Sequence, residues 1–188
     1  MTKPRGRPPR GDGLSLPRIL DTALALLGEE GGKEFSLRTL AARLGVTPMS
    51  LYHHVPDYAG LLRAVSDRVY GTVLEGVSAG APPLDAVRAV LLRYHGAVAA
   101  YPRLALAIFT EPAAFAGVTR EITGQLTAWL SVLTAEPDLW LEILVDHAHG
   151  SGLAFQNVDA ETAAQLRARY AQALDRLLAG LVNTSLVG

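Results

Sequence analysis

Apolar residues return every third or fourth position along most of this chain, and strict alternation is nowhere sustained. That period is the helical one, so the pattern predicts helices throughout. Ile19, Leu20, Ala23, Leu24 and Leu27 form the first stripe, with Ser15 as N-cap, Pro17 in the first turn and Gly31-Gly32 as the stop. Ser36 caps a second helix whose inner face is Leu37, Leu40, Ala41 and Leu44, and Gly45 ends it. Thr47 as N-cap and Pro48 at the first helical position start a third, which Pro56 breaks. Asp57 caps a fourth running to about Gly76. Beyond the Gly80-Ala81-Pro82-Pro83 loop, helical patterns cover about 84–100, 102–109, 116–134, 137–157 and 160–183. Pro102, Pro112 and Pro137 punctuate them, and Asp159 offers a cap for the last. The expectation is an all-α chain of about nine helices, divided into an arm (1–14), a first unit (15–76) and a second (77–188).

The stretch from Leu37 to His54 is the most informative. Two short helices joined by a turn of three or four residues must cross steeply. Ala41 is small where they approach, and Gly45 supplies the positive φ that the turn needs. Leu40, Leu44, Val46 and Leu51 would fill a core shared with Leu24 and Leu27. Thr47, Pro48, Met49, Ser50, Tyr52, His53 and His54 are left largely outside. An outward surface of that kind is what a recognition helix presents to the major groove of DNA.

Composition narrows the class. No apolar run is long enough for a membrane span. The opening MTKPRGRPPRGDG lacks the apolar stretch of a secretory signal. Cysteine is absent, which removes disulfides and thiolate metal sites. A cytoplasmic protein without a membrane partner is expected. The net charge of −1 conceals an asymmetry, with +3 over residues 1–70 and −4 over residues 71–188. A basic front suits a polyanion partner.

Phe35-Ser36, Leu40-Ala41, Leu44-Gly45-Val46, Leu51-Tyr52-His53-His54 and Leu61-Leu62 together resemble the tetracycline-repressor (TetR) family, over about residues 15–75. The resemblance implies a homodimer, a helix-turn-helix reader of double-stranded operator DNA, and a ligand pocket behind it. It implies that Arg38 reads a base, that Pro48, Met49 and Ser50 supply further base contacts, and that Thr47, Tyr52 and His54 meet phosphates. Arg suits the paired acceptors of guanine, whereas Met49 can only pack on a thymine methyl. Many members carry a Lys near the start of the fourth helix. Here that place reads Asp57-Tyr58-Ala59-Gly60, so Tyr58 offers a hydroxyl where a charge is lost. Ser36 and His53 complete the candidate set. Arg5-Gly6-Arg7-Pro8 looks like a minor-groove hook, against the alternative of a solubilising tail.

In the back half, Gly150 and Gly152 sit inside a helical pattern where glycine costs roughly 1 kcal/mol against alanine. A close helix contact or a kink is implied. His147 and His149 are two apart and point to different sides of a helix, unlike the i,i+4 pairs that bind metal. Asp146 and His149 could share a face but supply only two ligands, and no G-x-S-x-G elbow is present. Neither a metal, a cofactor nor catalysis is expected. Tyr94, His95, Phe109, Trp129, Asp146, His149 and Phe155 are the candidates for a mostly apolar effector pocket, with ordinary core packing the competing reading for each. The family's metal-chelating His has no counterpart in Arg103–Phe109. The last two long helices are expected to meet a two-fold mate, as the family's do.

The function expected is therefore a ligand-responsive regulator, with repression the family's usual mode. The rivals are a small-molecule-binding protein with decayed DNA contacts, an enzyme, and an architectural DNA-binding protein without a ligand.

Overall fold

The computed structural model describes residues 13–29, 35–78, 80–155 and 158–185. Among them are nine α-helices and one 3-10 turn, with no strand. The helices are α1 (Leu16–Gly28), α2 (Leu37–Leu44), α3 (Pro48–Tyr52), α4 (Tyr58–Tyr70), α5 (Pro83–Ala100), α6 (Pro102–Thr110), α7 (Val118–Leu133), α8 (Pro137–Leu153) and α9 (Ala160–Ser185); the 3-10 turn, Pro112–Ala114, lies between α6 and α7.

Local chemistry accounts for most of the boundaries. Ser36 caps α2 by accepting from the Thr39 amide, and the Thr39 hydroxyl accepts from the Ser36 amide in return. This is a capping box with threonine in the place more often held by Glu or Gln. Gly45 closes α2 at φ 71°, where its own amide and that of Val46 reach back to Ala42 and Ala41. Asp57 accepts from the Gly60 amide at 2.6 Å, and Asp159 from Thr162 at 2.7 Å. Ser15 and Thr47 flank their helices without a side-chain cap; the Thr47 hydroxyl pairs instead with that of Ser50 at 3.0 Å.

The fourth helix differs from the expectation. It ends at Tyr70, and residues 71–76 run on as turns in which Val73 donates to Tyr70 and Glu75 to Thr72. The Val73 carbonyl accepts from Arg93 Nε of α5 at 2.7 Å. That tertiary bond occupies an acceptor a continued helix would use, and Gly76 then turns the chain at φ 72°. The expected stop at Gly31-Gly32 falls outside the described residues.

Buried residues from Ile19 to Leu181 form one contiguous apolar cluster. Its front part packs α1, α2 and α3 around Ile19, Ala23, Leu40, Ala41 and Leu51, all solvent-free. Its back part is built on α5, which packs most extensively against α8 and then α7. Gly152 explains the closeness of α5 and α8, because a Cβ there would meet Val98 Cγ1 at 2.5 Å. Gly150 has open space around it, so the close approach belongs to Gly152 alone.

Between the two parts lies α4, which touches α1, α5, α6, α7 and the 3-10 turn. Polar ties reinforce this junction. Arg103, at the start of α6, donates to the carbonyls of Leu26 and Glu29 at the end of α1. Arg63 of α4 donates to the Ala113 carbonyl, and Asp67 accepts from the Val118 amide at the start of α7.

Candidate nucleic-acid interface and ligand cavity

The outer surface of the crossed helices follows from one anchor. Leu51 is fully buried, which pins the inner side of α3 on α2 and α1. Thr47, Pro48, Met49, Tyr52, His53 and His54 are then all exposed, Met49 at 67% and Tyr52 at 45%. Ser50 is half-buried beside Thr47. Arg38 projects from the first turn of α2 and is exposed. Two candidates are more committed to the fold. The Ser36 hydroxyl serves the capping box, and Tyr58 is half-buried with its ring 6.0 Å from that of Phe35. Arg5 and Arg7 lie outside the described residues.

Beside Arg38, Arg43 forms a two-point pair with Glu29, at 2.7 and 2.8 Å. The Arg43 hydrogen bond holds the Glu29 carboxyl below its ordinary range. That guanidinium is committed to holding α2 on the end of α1, whereas Arg38 carries no such pair with an acid among the described residues.

The second site is a cavity of about 360 Å³ among the back helices, within the size range of small-molecule sites. Its floor is apolar: Leu126 and Ile122 of α7, Ala105 of α6, and Tyr70 at the end of α4. Phe109 and Phe115, 57% and 41% exposed, stand at its mouth. Thr119 and Thr123 line one wall, and Val145, Glu142, Asp146 and His149 of α8 the facing one.

At the inner end Tyr94 and His149 form a polar pair, hydroxyl to Nε2, at 2.6 Å. Burial pushes the Tyr94 hydroxyl well above its ordinary pKa. It also lowers that of His149, against an opposing pull from Asp146. Both groups are therefore neutral near pH 7. A neutral phenol donates to Nε2, which leaves Nδ1 to carry the imidazole hydrogen. Nδ1 is buried without a hydrogen-bond partner, and the Phe109 ring meets the imidazole edge-on at 4.7 Å.

Tyr94, Phe109, Asp146 and His149 thus share one cavity, whereas His95, Trp129 and Phe155 do not line it. A step of one residue turns a side chain about 100° around a helix, so Tyr94 and His95 serve different neighbours. His95 stacks on Tyr170 of α9, with centroids 3.7 Å apart and planes at 6°, and bonds Ser151 Oγ at 3.1 Å. Phe155 sits edge-on to His95, in a small cluster with Ala99 and Ala163, under the Arg167 guanidinium. Trp129 packs against the core cluster, about a turn beyond Leu126. The seven candidates do not converge as one group: four line the cavity, His95 and Phe155 pack together toward α9, and Trp129 packs against the core.

The periodicity argument missed Tyr70, Phe115, Thr119, Thr123 and Glu142. Glu142 carried a usable signal, lying four residues before Asp146 on the same helical face. Phe115 carried none, since its place depends on the irregular link between α6 and α7. No group of three or more His, Asp or Glu side chains suited to a metal occurs among the described residues.

Residues 19–65 match the family model for bacterial regulatory proteins of the tetR family. The chain is 42% identical over 65 residues to the HTH-type transcriptional repressor DrrR1 of Streptomyces coeruleorubidus, a stretch covering 34% of this chain and 24% of that repressor. The matched stretch is thus about a quarter of that relative's length. BioQ of Mycobacterium smegmatis superposes with a TM-score of 0.72 at 22% identity, over 90% of this chain and 99% of that one. BioQ with its double-stranded DNA operator gives 0.69 at 22%, over 91% and 99%. ActR of Streptomyces coelicolor in complex with (S)-DNPA gives 0.66 at 21%, over 91% and 98%. At such identities the superpositions speak for the fold, while the matched segment speaks for the crossed helices and their outer surface. Residues 19–65 thus carry the DNA-binding segment of bacterial regulatory proteins of the tetR family, on a chain whose overall fold is that of solved regulators of the same kind.

Proposed function

We propose that this regulator is a ligand-controlled homodimeric repressor, whose residues 15–76 read a palindromic operator and whose residues 77–188 dimerise and hold the effector. The observation that carries the reading is the burial of Leu51 beneath an exposed Met49, Tyr52, His53 and His54. That arrangement leaves α3 free to enter a major groove. Arg38 is the base reader, with Pro48, Met49 and Ser50 beside it. Thr47, Tyr52 and His54 meet phosphates, which position the helix without reading sequence. Ser36, His53 and Tyr58 contribute at the edge, and the 1–14 arm reaches the minor groove through Arg5 and Arg7.

The dimer reading is supported by Leu139 and Ile143 of α8. They lie one helical turn apart and are 48% and 37% exposed on a helix whose other face packs on α5 and α7. Apolar residues exposed in a row are typical of an interface. The cavity and the DNA surface are joined through α4, so an effector among α6, α7 and α8 can shift the reader heads relative to each other. BioQ, solved with its operator, and ActR, solved with (S)-DNPA, are relatives by fold that hold DNA and a small molecule respectively.

A gel-shift titration against the DNA flanking the gene tests this reading. A saturable, sequence-selective complex is expected. Its affinity should fall by roughly 10³–10⁵ between 50 and 200 mM salt if six to ten phosphates are met. Arg38→Ala should weaken it by about 1–3 kcal/mol and relax the sequence preference at one position. Binding that is weak and blind to sequence would instead favour a small-molecule-binding protein with decayed DNA contacts. The exposed, donor-free Met49 is the observation on that side.

A further inference from the structure

We infer that the cavity takes an organic cation, an aryl-bearing alkylammonium or quaternary ammonium ion. This deepens the reading of the cavity as the effector site and rests on it. Glu142 and Asp146 are the charged residues of the lining, and no Lys or Arg is among them. The two carboxylates lie four residues apart on one face of α8, where like charges repel. Neither has a hydrogen bond or ion pair with any described residue. Arg63 and Arg120 keep their charge while donating to the carbonyls of Ala113 and Phe115, but neither is among the lining residues. His149, held neutral by burial, adds no positive charge.

The rest of the lining suits the same class. Phe109, Phe115, Tyr94 and Tyr70 present aromatic rings to the space. The face of an aromatic ring carries negative charge density and attracts a cation. A flat cation would set its aromatic body among these rings and its charged group beside Glu142 and Asp146. An anion of the same shape would meet two carboxylates and no Lys or Arg in the lining. The volume of about 360 Å³ accommodates a ligand of two or three rings.

The test uses two probes with one body and opposite charge, (2-naphthylmethyl)trimethylammonium and 2-naphthylacetate. Each is titrated calorimetrically into the full chain without DNA, and the titration is repeated with the Glu142→Gln/Asp146→Asn double variant. The cation is expected to bind once per chain and about tenfold more tightly than the anion. The variant should lose that preference while keeping its melting temperature, since both side chains are exposed. A Phe109→Ala variant, removing one wall, should weaken the cation severalfold. Equal or stronger binding of the anion would overturn the proposal, as would binding of neither probe or a preference unchanged in the variant. Because no DNA is present, failure here leaves operator binding untouched, and failure of operator binding leaves this result readable.

Discussion

At the scale of single residues, His95 shows how a neighbour decides a role. Its imidazole is buried against Tyr170, Phe155 and Ser151 rather than in the cavity. Burial, then His147 and the Arg167 guanidinium, hold its pKa down to about 4. A lowered folded-state pKa means that the unfolded chain binds the proton first. The stabilisation from keeping His95 neutral is therefore complete above pH 6.5 and is lost as pH falls toward 4. The expected loss is on the order of 3 kcal/mol across that window, and it precedes the protonation of most carboxylates. Melting curves from pH 7.5 to 4.5 should fall steeply for the parent and less steeply for His95→Gln. Equal slopes would show that His95 does not carry the effect. The sequence offered His95 and Tyr94 as equals, because residue type says nothing about which side of α5 faces the open space.

At the scale of elements, the starts of α2, α3 and α4 and the end of α2 were legible to the residue. Ser36, Gly45, Pro48 and Asp57 act through their own backbones or the next turn, so local chemistry sets α2, α3 and the start of α4. The end of α4 was not legible, because the bond from Arg93 to Val73 joins residues twenty apart. The two glycines of α8 were legible as a pair but not individually. Gly152→Ala would push a methyl into Val98 and should destabilise the fold by about 1–3 kcal/mol, less a helix-propensity gain of up to about 1 kcal/mol. Gly150→Ala, with nothing within 4 Å, should not lower stability at all. Paired denaturant titrations of the two variants would read the contrast, and similar losses in both would contradict a specific contact at Gly152.

At the scale of the whole molecule, the junction at α4 and α6 is where the two proposed sites meet. Arg103 ties the start of α6, a cavity wall, to the last carbonyls of α1. A pair of sites can influence each other only through elements both of them bias. Arg103→Ala should therefore leave operator affinity nearly unchanged without effector, and shrink the effector-induced loss of affinity. Family-scale couplings of about 1–3 kcal/mol would drop by a measurable part of that range. Operator Kd with and without a bound cation, in parent and variant, gives the ratio directly. An unchanged ratio would place the coupling on Arg63 and Asp67 instead.

The helix count, the caps at Ser36, Asp57 and Asp159, the crossed pair around Gly45 and the outward set from Thr47 to His54 were determined by the sequence alone. They depend on period, on side-chain-to-backbone bonds within a turn, and on which residues are too apolar to stay in water. Which aromatic and charged side chains share the cavity was decided only by the tertiary structure. Tyr70, Phe115 and Glu142 reach it, and His95, Trp129 and Phe155 do not. A cavity is the space left by five helices and an irregular link after they pack, and no local pattern encodes the angle at which they meet.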